Sequence, residues 1–481
     1  MKKNIKSKIF AICLASFFAI VSAVFIYLLI TTKFLTATLI VVCGLAMALV
    51  CAGIFFLSID CEKKLRVIIA VILALIIFII QIFGTYYLLL GKKTLEKITT
   101  PEIEKAEVGV YVRLDDPAKN LDDAKNYTFG ILEVLDRKIT DSALSKIEKT
   151  LGKSVNIKSY DSIEEMMNAL LLEKEVYAVV LNKSFIDLFA DIENHTDDAD
   201  KIKEIHSIII ETQQVSSSAK ADLSVFTVYI SGIDCEGSIT RRSRSDVNII
   251  ATVNTKTGQV LLVSTPRDFY VPLSISDGIP DKLTHAGIYG IEVSRDTLAM
   301  LYDTDIDYYF RVNFDGFKEI IDALGGITVN SEYAFKSGSY QFKKGDNEVD
   351  GEAALSFARN RYAFASGDRQ RGKNQMAVIK GVINKATGPA ILKNYKSILE
   401  GLEGSFDTNM PYTTITKLIQ NQLKEGTKWN VVTYSANGTG ASKKPYSLSS
   451  NAYVMIPDQS TVDHAKELIN RVKNGKILTQ E

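Results

Sequence analysis

Arginine is the residue whose placement along this chain points most directly to chemistry. The sequence has 14 arginines against 42 lysines, yet eight of the arginines fall in three short segments. These eight are Arg241, Arg242 and Arg244, then Arg267, then Arg359, Arg361, Arg369 and Arg371. A guanidinium group can bind phosphate oxygens through two parallel hydrogen bonds, whereas a lysine ammonium is a strongly hydrated point charge. The pattern predicts an anion site built by arginines from distant parts of the chain.

Aspartates lie close to these arginines, at positions 234, 246, 268 and 368. Ion pairing between neighbours is the simpler interpretation, and for a single arginine it would be preferred. Three segments that each place an aspartate near the end of a strand or helix favour the anion site. If the anion is a phosphate, two carboxylates and the phosphate oxygens also suit Mg²⁺, which prefers octahedral oxygen coordination.

The overall charge argues against nucleic acid as the anion. Lys+Arg 56 and Asp+Glu 56 give a formal net charge of zero, which removes the long-range attraction that a dedicated nucleic-acid binder needs. The five cysteines form neither a disulfide framework nor a zinc-binding pattern. His285 is the one histidine of its segment, and such a histidine is more often structural than a ligand.

Three windows near the N-terminus contain no charged side chain: residues 9–32, 34–59 and 67–91. Each exceeds the ~20 apolar residues that a helix needs to cross ~30 Å of hydrocarbon, so three transmembrane helices are predicted. Lysines before the first window, and basic residues at 63, 64 and 66, favour a cytoplasmic N-terminus. Three spans then place the chain from residue 92 onward outside the cell.

The outer part of the chain is predicted to form two α/β domains. Residues 92–106 are expected to be a polar stalk, broken by Pro101. Residues 107–215 alternate short apolar strands with amphipathic helices, which predicts a small accessory domain, with a helix starting at residue 202 and running to 218. A linker at 216–223 leads into a second domain over 224–481. The accessory domain carries no motif that indicates a function.

The arginine segments fall at the ends of predicted elements of the second domain. Strands are predicted at 225–231, 246–254, 260–264 and 308–313, and helices at 314–324, 353–357, 375–385 and 461–473. Arg244 thus precedes a strand, Arg267 follows one, and Arg359 follows a helix. Gly325 and Gly326 supply a C-cap signal for the helix before them.

Seven ordered segments of this domain carry a recognisable pattern. They are GID (232–234), RSDVN (244–248), LVSTPRD (262–268), KLTHA (282–286), VNFDGF (312–317), IDALGG (321–326) and GEAALSFARNR (351–361), followed by Asp368, Arg371 and Gln375. Together they resemble the LytR–CpsA–Psr family, most closely its capsular polysaccharide branch, which the three apolar windows and the accessory domain also resemble. One segment alone would carry little weight, but seven in order are specific. The chain departs from many relatives at Asn374, where they carry a further arginine.

The resemblance implies a fold and a reaction. The fold would be an α/β/α sandwich with a central mixed sheet and a long apolar pocket for a lipid tail. The enzyme would be a membrane-anchored phosphotransferase on the outer face of a Gram-positive cell. It would move a capsular polysaccharide or similar glycopolymer from a polyprenyl-pyrophosphate carrier to a peptidoglycan hydroxyl. Its partners would be that carrier, peptidoglycan, the membrane and capsule assembly proteins, and not nucleic acid.

The resemblance also implies roles for individual residues. The pyrophosphate ligands would be Arg244, Arg267, Arg359, Arg361, Arg371 and Gln375. Asp234 and Asp246 would hold Mg²⁺. A carboxylate base would help the acceptor hydroxyl to lose its proton, and Asp246 and Asp268 are the candidates. An ion pair that orients Arg267 is an equally good interpretation of Asp268.

Other functions could use the same residues. A non-catalytic, polyprenyl-pyrophosphate-binding regulator of capsule assembly would need the arginines only for binding. A lipid pyrophosphatase would transfer to water instead of to a sugar. A DNA-binding attenuator is a further alternative, which the zero net charge and the outward domain argue against.

Overall fold

Three long helices begin the chain in the computed structural model, which describes residues 2–59, 63–99, 104–192, 195–212, 220, 222–233, 239–361, 363, 368–388, 397–398, 401 and 404–479. They are α1 (Lys2–Thr32), α2 (Ala37–Ser58) and α3 (Lys64–Thr99). All three are long and apolar enough to cross a membrane. The third helix runs past the predicted boundary at residue 91 to Thr99, and a strand begins at Glu104. Most of the predicted stalk is therefore regular structure.

The accessory domain is a five-stranded mixed sheet with a helix on each face. Its elements are β1 (Glu104–Arg113), β2 (Thr128–Leu132), α4 (Arg137–Leu151), β3 (Asn156–Tyr160), α5 (Ile163–Leu171), β4 (Ala178–Asn182), 3-10 helices at Lys183–Asp191 and Asp198–Lys201, and β5 (Ile202–Thr212). The strand order is β3-β2-β4-β1-β5. Alternation along β4 sends Val180 into the core under α4, and Val179 and Leu181 into the core under α5. This arrangement confirms the predicted α/β class.

The prediction of a helix at 202–218 is wrong, because residues 202–212 form strand β5. Ile205 and Ile208 are three residues apart and share one buried face, a spacing that resembles a helical turn. The cause is a bulge: Val110 of β1 pairs with His206, while Tyr111 pairs with Glu204. One extra residue in β5 thus shifts the strand's period from two to three locally. Residues 213–219 lie outside the described part of the chain.

The second domain is built on a six-stranded mixed sheet of order β16-β11-β6-β7-β8-β17. The strands of the domain are β6 (Val225–Ile233), β7 (Ser245–Asn254), β8 (Gln259–Ser264), β9 (Tyr270–Pro272), β10 (Pro280–Lys282), β11 (Tyr308–Val312), β12 (Ile327–Ser331), β13 (Phe335–Ser337), β14 (Tyr340–Phe342), β15 (Gly345–Val349), β16 (Phe406–Thr408), β17 (Asn430–Ser435), β18 (Gly438–Lys443) and β19 (Ala452–Pro457). Strand β6 is parallel to β11 and antiparallel to β7, and β8 is parallel to β17. Strands β6, β8, β11 and β17 therefore end at one edge of the sheet.

Helices cover both faces of this sheet. They are α6 (Ala286–Tyr289), α7 (Ile291–Tyr302), α8 (Phe314–Ala323), α9 (Gly351–Arg359), α10 (Asp368–Ala386), α11 (Tyr412–Glu425) and α12 (Gln459–Lys473), with a 3-10 turn at Leu283–His285. On one face Leu298 of α7 and Val462 of α12 pack on Tyr229 and Ile250 of the sheet. On the other face Met376 of α10 packs on the sheet. The predicted α/β/α sandwich with a central mixed sheet is confirmed.

The two outer domains share an apolar core. Phe185 and Leu188 of the accessory domain belong to the same buried cluster as Tyr289 and Leu448 of the second domain. The rings of Phe185 and Tyr289 meet edge to face, with centroids 5.8 Å apart. Burial of large aromatic side chains on both sides makes this joint a packed interface rather than a flexible connection.

The N-terminal helical region contacts the second domain as well. The Tyr412 hydroxyl donates to the carbonyl oxygen of Thr32 at 2.6 Å, and the Gln420 amide donates to that of Lys33 at 2.7 Å. Phe34 lies in an apolar cluster with Phe406. The turn between α1 and α2 therefore lies on the same side of the helix bundle as the second domain.

Candidate anion site

A cavity of about 310 Å³ lies at the sheet edge where β6 and β11 end. Its polar lining residues are Asp246, Arg267, Asn313, Arg359, Arg361, Arg371 and Gln375. Its apolar lining includes Ile230, Val247, Val312, Phe314, Phe317, Leu355 and Ile379. Ligands of open α/β sheets commonly bind at the carboxyl ends of parallel strands. Two of the three arginine segments thus meet at one cavity, and Asp246, two residues after Arg244, lies there as well.

Helix caps fix two walls of the cavity. The Asn313 side chain accepts a hydrogen bond from the backbone N–H of Gly316 at 2.9 Å, which starts α8 directly after β11 and sets the position of Phe314. The Asp350 side chain caps α9, the helix that ends at Arg359. The guanidinium carbon of Arg359 lies 4.1 Å from the centre of the Phe314 ring, a cation–π contact. The caps of two helices therefore set both partners of this contact.

Helix α10 supplies the third wall. Arg371 and Gln375 are one helical turn apart, so both reach the cavity from the same face of the helix. A Cβ added at Gly372 would lie 2.7 Å from the Ser264 hydroxyl oxygen, which shows how closely the helix approaches the end of β8. A side chain at position 372 would push Arg371 away from the site.

Asp246 is the carboxylate among the described lining residues. One of its oxygens accepts a 2.7 Å hydrogen bond from Arg267, and the other accepts one from the Thr284 hydroxyl at 3.2 Å. Burial opposes ionisation of Asp246, but the positive charges of Arg267, Arg371 and Arg244 outweigh it and hold the pKa of Asp246 below its ordinary value. The described lining thus carries four guanidinium groups and one ionised carboxylate.

The remaining predicted residues occupy other positions. Asp268 does not line the cavity; its carboxylate lies 3.7 Å from Nε of Arg267. Arg244 also lies outside the lining, and its guanidinium is 3.7 Å from Asp191 of the accessory domain. Asp234 lies outside the described residues. Asn374, at the position where relatives carry arginine, is buried away from the cavity and donates to the carbonyl of Phe357 at 3.1 Å.

Arg242 belongs to the domain joint rather than to the cavity. Its Nε donates to Glu104 at 3.1 Å, and its guanidinium lies 3.9 Å from Asp136. Glu104 also accepts a 2.9 Å hydrogen bond from Arg311, whose other end donates to Asp407 at 2.9 Å. Three carboxylates and two arginines form this network, and it holds the accessory domain against the second domain.

His285 is fully buried between two carboxylates. Its Nδ1 lies 2.7 Å from Asp281, and its Nε2 lies 3.3 Å from Asp191. Burial lowers the pKa of the imidazole, but Asp281 and Asp191 outweigh this and raise the pKa above its usual value. The imidazole therefore connects elements of the fold, in agreement with the structural role expected for it.

Sequence reasoning did not identify Thr284, Phe314 or Asp191. Thr284 and Phe314 lie in the segments KLTHA and VNFDGF, so the signal for them was present in the pattern. No signal singles out Asp191, because its partners Arg244 and Lys282 belong to the second domain and are distant in sequence.

The apolar wall of the cavity continues along the sheet. Ile230, Val247 and Ile379 adjoin the sheet residues Ala251 and Val260 in one apolar cluster. The cluster reaches a cleft of about 1380 Å³ between the sheet and α11, which is lined by Ile383, Ile415, Ile419 and Trp429 among others. Ile415 and Ile419 also pack against the cluster that contains Phe34, which lies between α1 and α2. An apolar path thus runs from the arginines towards the three N-terminal helices.

A second, polar groove of about 890 Å³ lies between α10 and α12. It is lined by Arg369, Lys373, Lys380, Arg471 and Glu332 among others. Arg369 and Ser435 are shared by this groove and a small recess that also contains Arg267 and Arg371. The arginine site therefore opens on one side to an apolar surface and on the other to a basic, polar groove.

The residues fit Mg²⁺ only in combination with a substrate. Asp246 is ionised beside the cavity, but both of its oxygens accept hydrogen bonds from side chains. Within the described ranges, no group of three His, Cys, Asp or Glu side chains could hold a metal ion. Mg²⁺ commonly binds through one or two carboxylates together with phosphate oxygens of a substrate. Asp246 suits a site of that kind.

The sequence model of the LytR_cpsA_psr family matches residues 186–471 of this chain. The match covers more than half of the chain and includes every arginine of the cavity. It agrees with the seven ordered segments of the second domain.

Curated relatives of this chain include two cell-wall transferases. The polyisoprenyl-teichoic acid–peptidoglycan teichoic acid transferase TagU of Bacillus licheniformis is 33% identical over 250 residues, which are 49% of this chain and 81% of that protein. The TagU of Enterococcus faecalis is 35% identical over 214 residues, 43% of this chain and 70% of that protein. Among solved structures, B. subtilis TagV has a TM-score of 0.44 and 26% identity and covers 53% of this chain and 100% of its own.

Proposed function

Because the chain belongs to the LytR_cpsA_psr family, we propose that it is a membrane-anchored glycopolymer phosphotransferase. The substrate would be a polymer, such as capsular polysaccharide, linked to a polyprenyl pyrophosphate, and the acceptor would be a hydroxyl of peptidoglycan. The curated relatives are named as transferases of teichoic acid to peptidoglycan. The choice of capsular polysaccharide rests on the resemblance of the motifs and the accessory domain to the capsule branch.

One observation carries the proposal: a single cavity joins four arginines to an apolar wall. A polyprenyl pyrophosphate has the same two parts, a multiply charged head and an apolar tail. The arginines would bind the pyrophosphate oxygens, since guanidinium forks suit phosphate geometry. The apolar cluster and the cleft beside α11 would accommodate the isoprenoid chain.

In the proposed reaction, the oxygen of the acceptor hydroxyl attacks the phosphorus that carries the polymer. A new P–O bond forms while the P–O bond to the lipid phosphate breaks, so polyprenyl phosphate leaves, and the hydroxyl proton passes to a carboxylate base or to water. Arg267, Arg359, Arg361 and Arg371 would reduce the negative charge that repels the nucleophile and stabilise the charge on the leaving phosphate. Mg²⁺ held by Asp246 and the pyrophosphate would supply further charge neutralisation of the same kind.

Two carboxylates lie near the proposed pyrophosphate site. Asp246 lines the cavity, whereas Asp268 lies outside the lining and 3.7 Å from Arg267. We therefore propose that Asp246 faces the substrate and its Mg²⁺, and that Asp268 orients Arg267. The basic groove beside Arg369 would receive the polymer or the acceptor, because it adjoins the arginine site on the side away from the apolar cleft.

A reconstituted transfer assay tests the proposal. The full chain in liposomes would receive a polyprenyl-pyrophosphate-linked polymer, Mg²⁺ and peptidoglycan, and the products would be separated. Wall-linked polymer and free polyprenyl phosphate support the phosphotransferase. Free polymer with no wall-linked product would identify a pyrophosphatase, and bound but unchanged carrier would identify a regulator.

Two further measurements refine the proposal. Asp246→Ala should abolish activity or its dependence on Mg²⁺, and an unchanged metal titration would remove Asp246 from the metal site. Trp429, the one tryptophan of the chain, lines the cleft beside α11. Its fluorescence should change more on addition of a long-chain polyprenyl pyrophosphate than on addition of geranyl pyrophosphate, whose tail is much shorter.

We also propose that the second domain lies outside the cell. The turn between α1 and α2 contacts this domain, which agrees with alternating spans that place both on the same side. Protease added to intact cells freed of wall should then cleave the chain beyond residue 92. Protection of that region until the membrane is opened would reverse the orientation.

A further inference from the structure

The accessory domain sends one carboxylate towards the arginine site. Asp191 ends the 3-10 helix that follows β4, and its side chain is 23% exposed. One of its oxygens lies 2.9 Å from the ammonium of Lys282, and the other lies 3.3 Å from His285 and 3.7 Å from the guanidinium of Arg244. Three basic side chains of the second domain thus surround one carboxylate of the accessory domain.

The backbone beside Arg244 is held firmly. A Cβ added at Gly287 would lie 2.4 Å from the carbonyl oxygen of Ser243 and 2.8 Å from the backbone nitrogen of Ser245, so α6 lies directly on this segment. Because the main chain is fixed at this close contact, the direction of the Arg244 side chain depends on the charges around it.

Two carboxylates compete for Arg244. Asp246 is near enough for the charge of Arg244 to lower its pKa, yet the oxygens of Asp246 accept hydrogen bonds from Arg267 and Thr284. Without Asp191, Arg244 would turn towards Asp246 and compete with Arg267 for it. The 3.7 Å separation from Asp191 exceeds a hydrogen bond, so the pair orients the guanidinium without binding it tightly.

We propose that Asp191 is a positioning residue, through which the docked accessory domain holds Arg244 at the edge of the cavity for the substrate pyrophosphate. The inference rests on the proposed function, in which Arg244 is a pyrophosphate ligand. It gives the accessory domain a role in substrate binding. The accessory domain would then be needed for full affinity, and not only for attachment to the membrane.

Binding of geranylgeranyl pyrophosphate to the full chain in detergent tests this role by calorimetry. Asp191→Asn keeps the shape of the side chain but removes its charge, and should weaken binding by about three- to tenfold. Arg244→Ala should weaken it by at least as much. If Asp191 acts through Arg244, then Asp191→Asn should cause no further loss in the Arg244→Ala background.

Two more variants separate positioning from folding. Asp191→Asn leaves the buried Lys282 ammonium without its carboxylate, so the double variant D191N/K282M removes both charges and should show the same loss of affinity. Glu164→Gln is the matched control, because Glu164 also joins the two domains by accepting hydrogen bonds from the N–H groups of Ser449 and Ser450. It should bind geranylgeranyl pyrophosphate like the wild type.

The possible outcomes separate failure of this inference from failure of the proposed function. Wild-type affinity of Asp191→Asn beside a weakened Arg244→Ala would overturn the inference alone. An equal loss in Glu164→Gln, or a further loss in the Arg244→Ala background, would do the same. Wild-type affinity of Arg244→Ala would overturn both the inference and the assignment of Arg244 as a pyrophosphate ligand. The transfer rate of Arg267→Lys would still test the proposed function separately.

Discussion

Two groups of arginines in this molecule differ in their balance of charge. At the domain joint, Arg242 and Arg311 meet three carboxylates, Glu104, Asp136 and Asp407. Around the cavity, the described lining holds four arginines and Asp246, with Asp268 behind Arg267. The joint therefore has an excess of acid, and the cavity has an excess of base.

The two excesses have different consequences. Arg311 is 2% exposed, and its two terminal nitrogens donate to Glu104 and Asp407, so its guanidinium is not accessible to a ligand from solution. The excess acid at the joint appears at Asp136, where burial outweighs Asn182 and Arg242 and raises the pKa to about 6. In the proposed function, the excess base of the cavity would be balanced by an anionic ligand. The same residue type thus forms an interface where acids outnumber it and a candidate binding site where they do not.

The largest expected effect comes from breaking the joint at Arg311. Arg311→Met leaves Glu104 and Asp407 buried without the cation they share, and loss of one partner of a buried ion pair costs about 3–5 kcal/mol. We expect a large fall in thermal stability of the full chain in detergent, followed by Trp429 fluorescence.

The double variant R311M/D407N is the control for this prediction. It removes one charge together with its partner, so it should recover a large part of the lost stability. A wild-type melting temperature for Arg311→Met would show that the joint network does not hold the domains together.

In the cavity, Arg267→Lys should affect transfer and leave stability almost unchanged. Lysine keeps the charge but loses the fork that contacts Asp246, and we expect the rate to fall by about one to two orders of magnitude, or ~2–3 kcal/mol of charge-assisted bonding. The reconstituted transfer assay measures the change.

Arg295→Lys is the matched control, because Arg295 pairs with Asp296 on α7, away from the cavity. It should transfer polymer at the wild-type rate. Full activity of Arg267→Lys would exclude the bidentate role of its guanidinium.

The sequence predicted which arginines come together better than it predicted their individual partners: four of the five arginines named as pyrophosphate ligands line one cavity, and Arg244 does not. Arg267, Arg359, Arg361 and Arg371 converge on one cavity, because their segments lie at the ends of strands and helices whose order follows from hydrophobic pattern. Arg242 and Arg244 are two residues apart and carry the same side chain, yet one pairs with Glu104 and the other with Asp191. Their partners come from a domain that precedes them in the chain, and spacing contains no information about that contact.

The accessory domain shows a second limit of sequence reasoning. Its α/β class follows from alternating apolar strands and amphipathic helices. Strand β5 was predicted as a helix because a bulge spaces its buried residues three apart, as in a helical turn. A bulge depends on how two strands pair, and local sequence does not record the pairing. Asp234, predicted as a metal ligand, lies outside the described residues, so its role stays a prediction.

The excess of acid at the domain joint should make the stability of the chain depend on pH. The pKa of Asp136 is about 6 in the folded protein, above the value of about 3.9 for an unfolded chain. The protonated form is therefore favoured by folding, and its stabilising contribution is present at low pH and lost as the pH rises through 6. Asp136→Asn should remove this loss and stabilise the chain by about 2–3 kcal/mol at pH 7.5, and by about half as much at pH 5.

Melting temperatures of both proteins at the two pH values measure this difference. Asparagine also suits the left-handed backbone at this position, where φ is 54°. Asp141→Asn, on the exposed side of α4 next to Arg137, is the control and should show no such gain at high pH. Equal stability of wild type and Asp136→Asn at pH 7.5 would mean that Asp136 is ionised at no cost, and that the joint has no excess of acid.

The smallest expected effect concerns Asp268 at the cavity. Its carboxylate lies 3.7 Å from Nε of Arg267, so Asp268→Asn should loosen the orientation of Arg267 and lower transfer by less than about tenfold, or ~1 kcal/mol. In the Arg267→Lys background the same change should have no further effect, because the guanidinium it orients is gone. A general base behaves differently: its removal would cost about 10²–10⁴-fold alone, and the loss would persist in that background. The double variant therefore decides whether the second carboxylate takes part in the chemistry or acts only through its arginine.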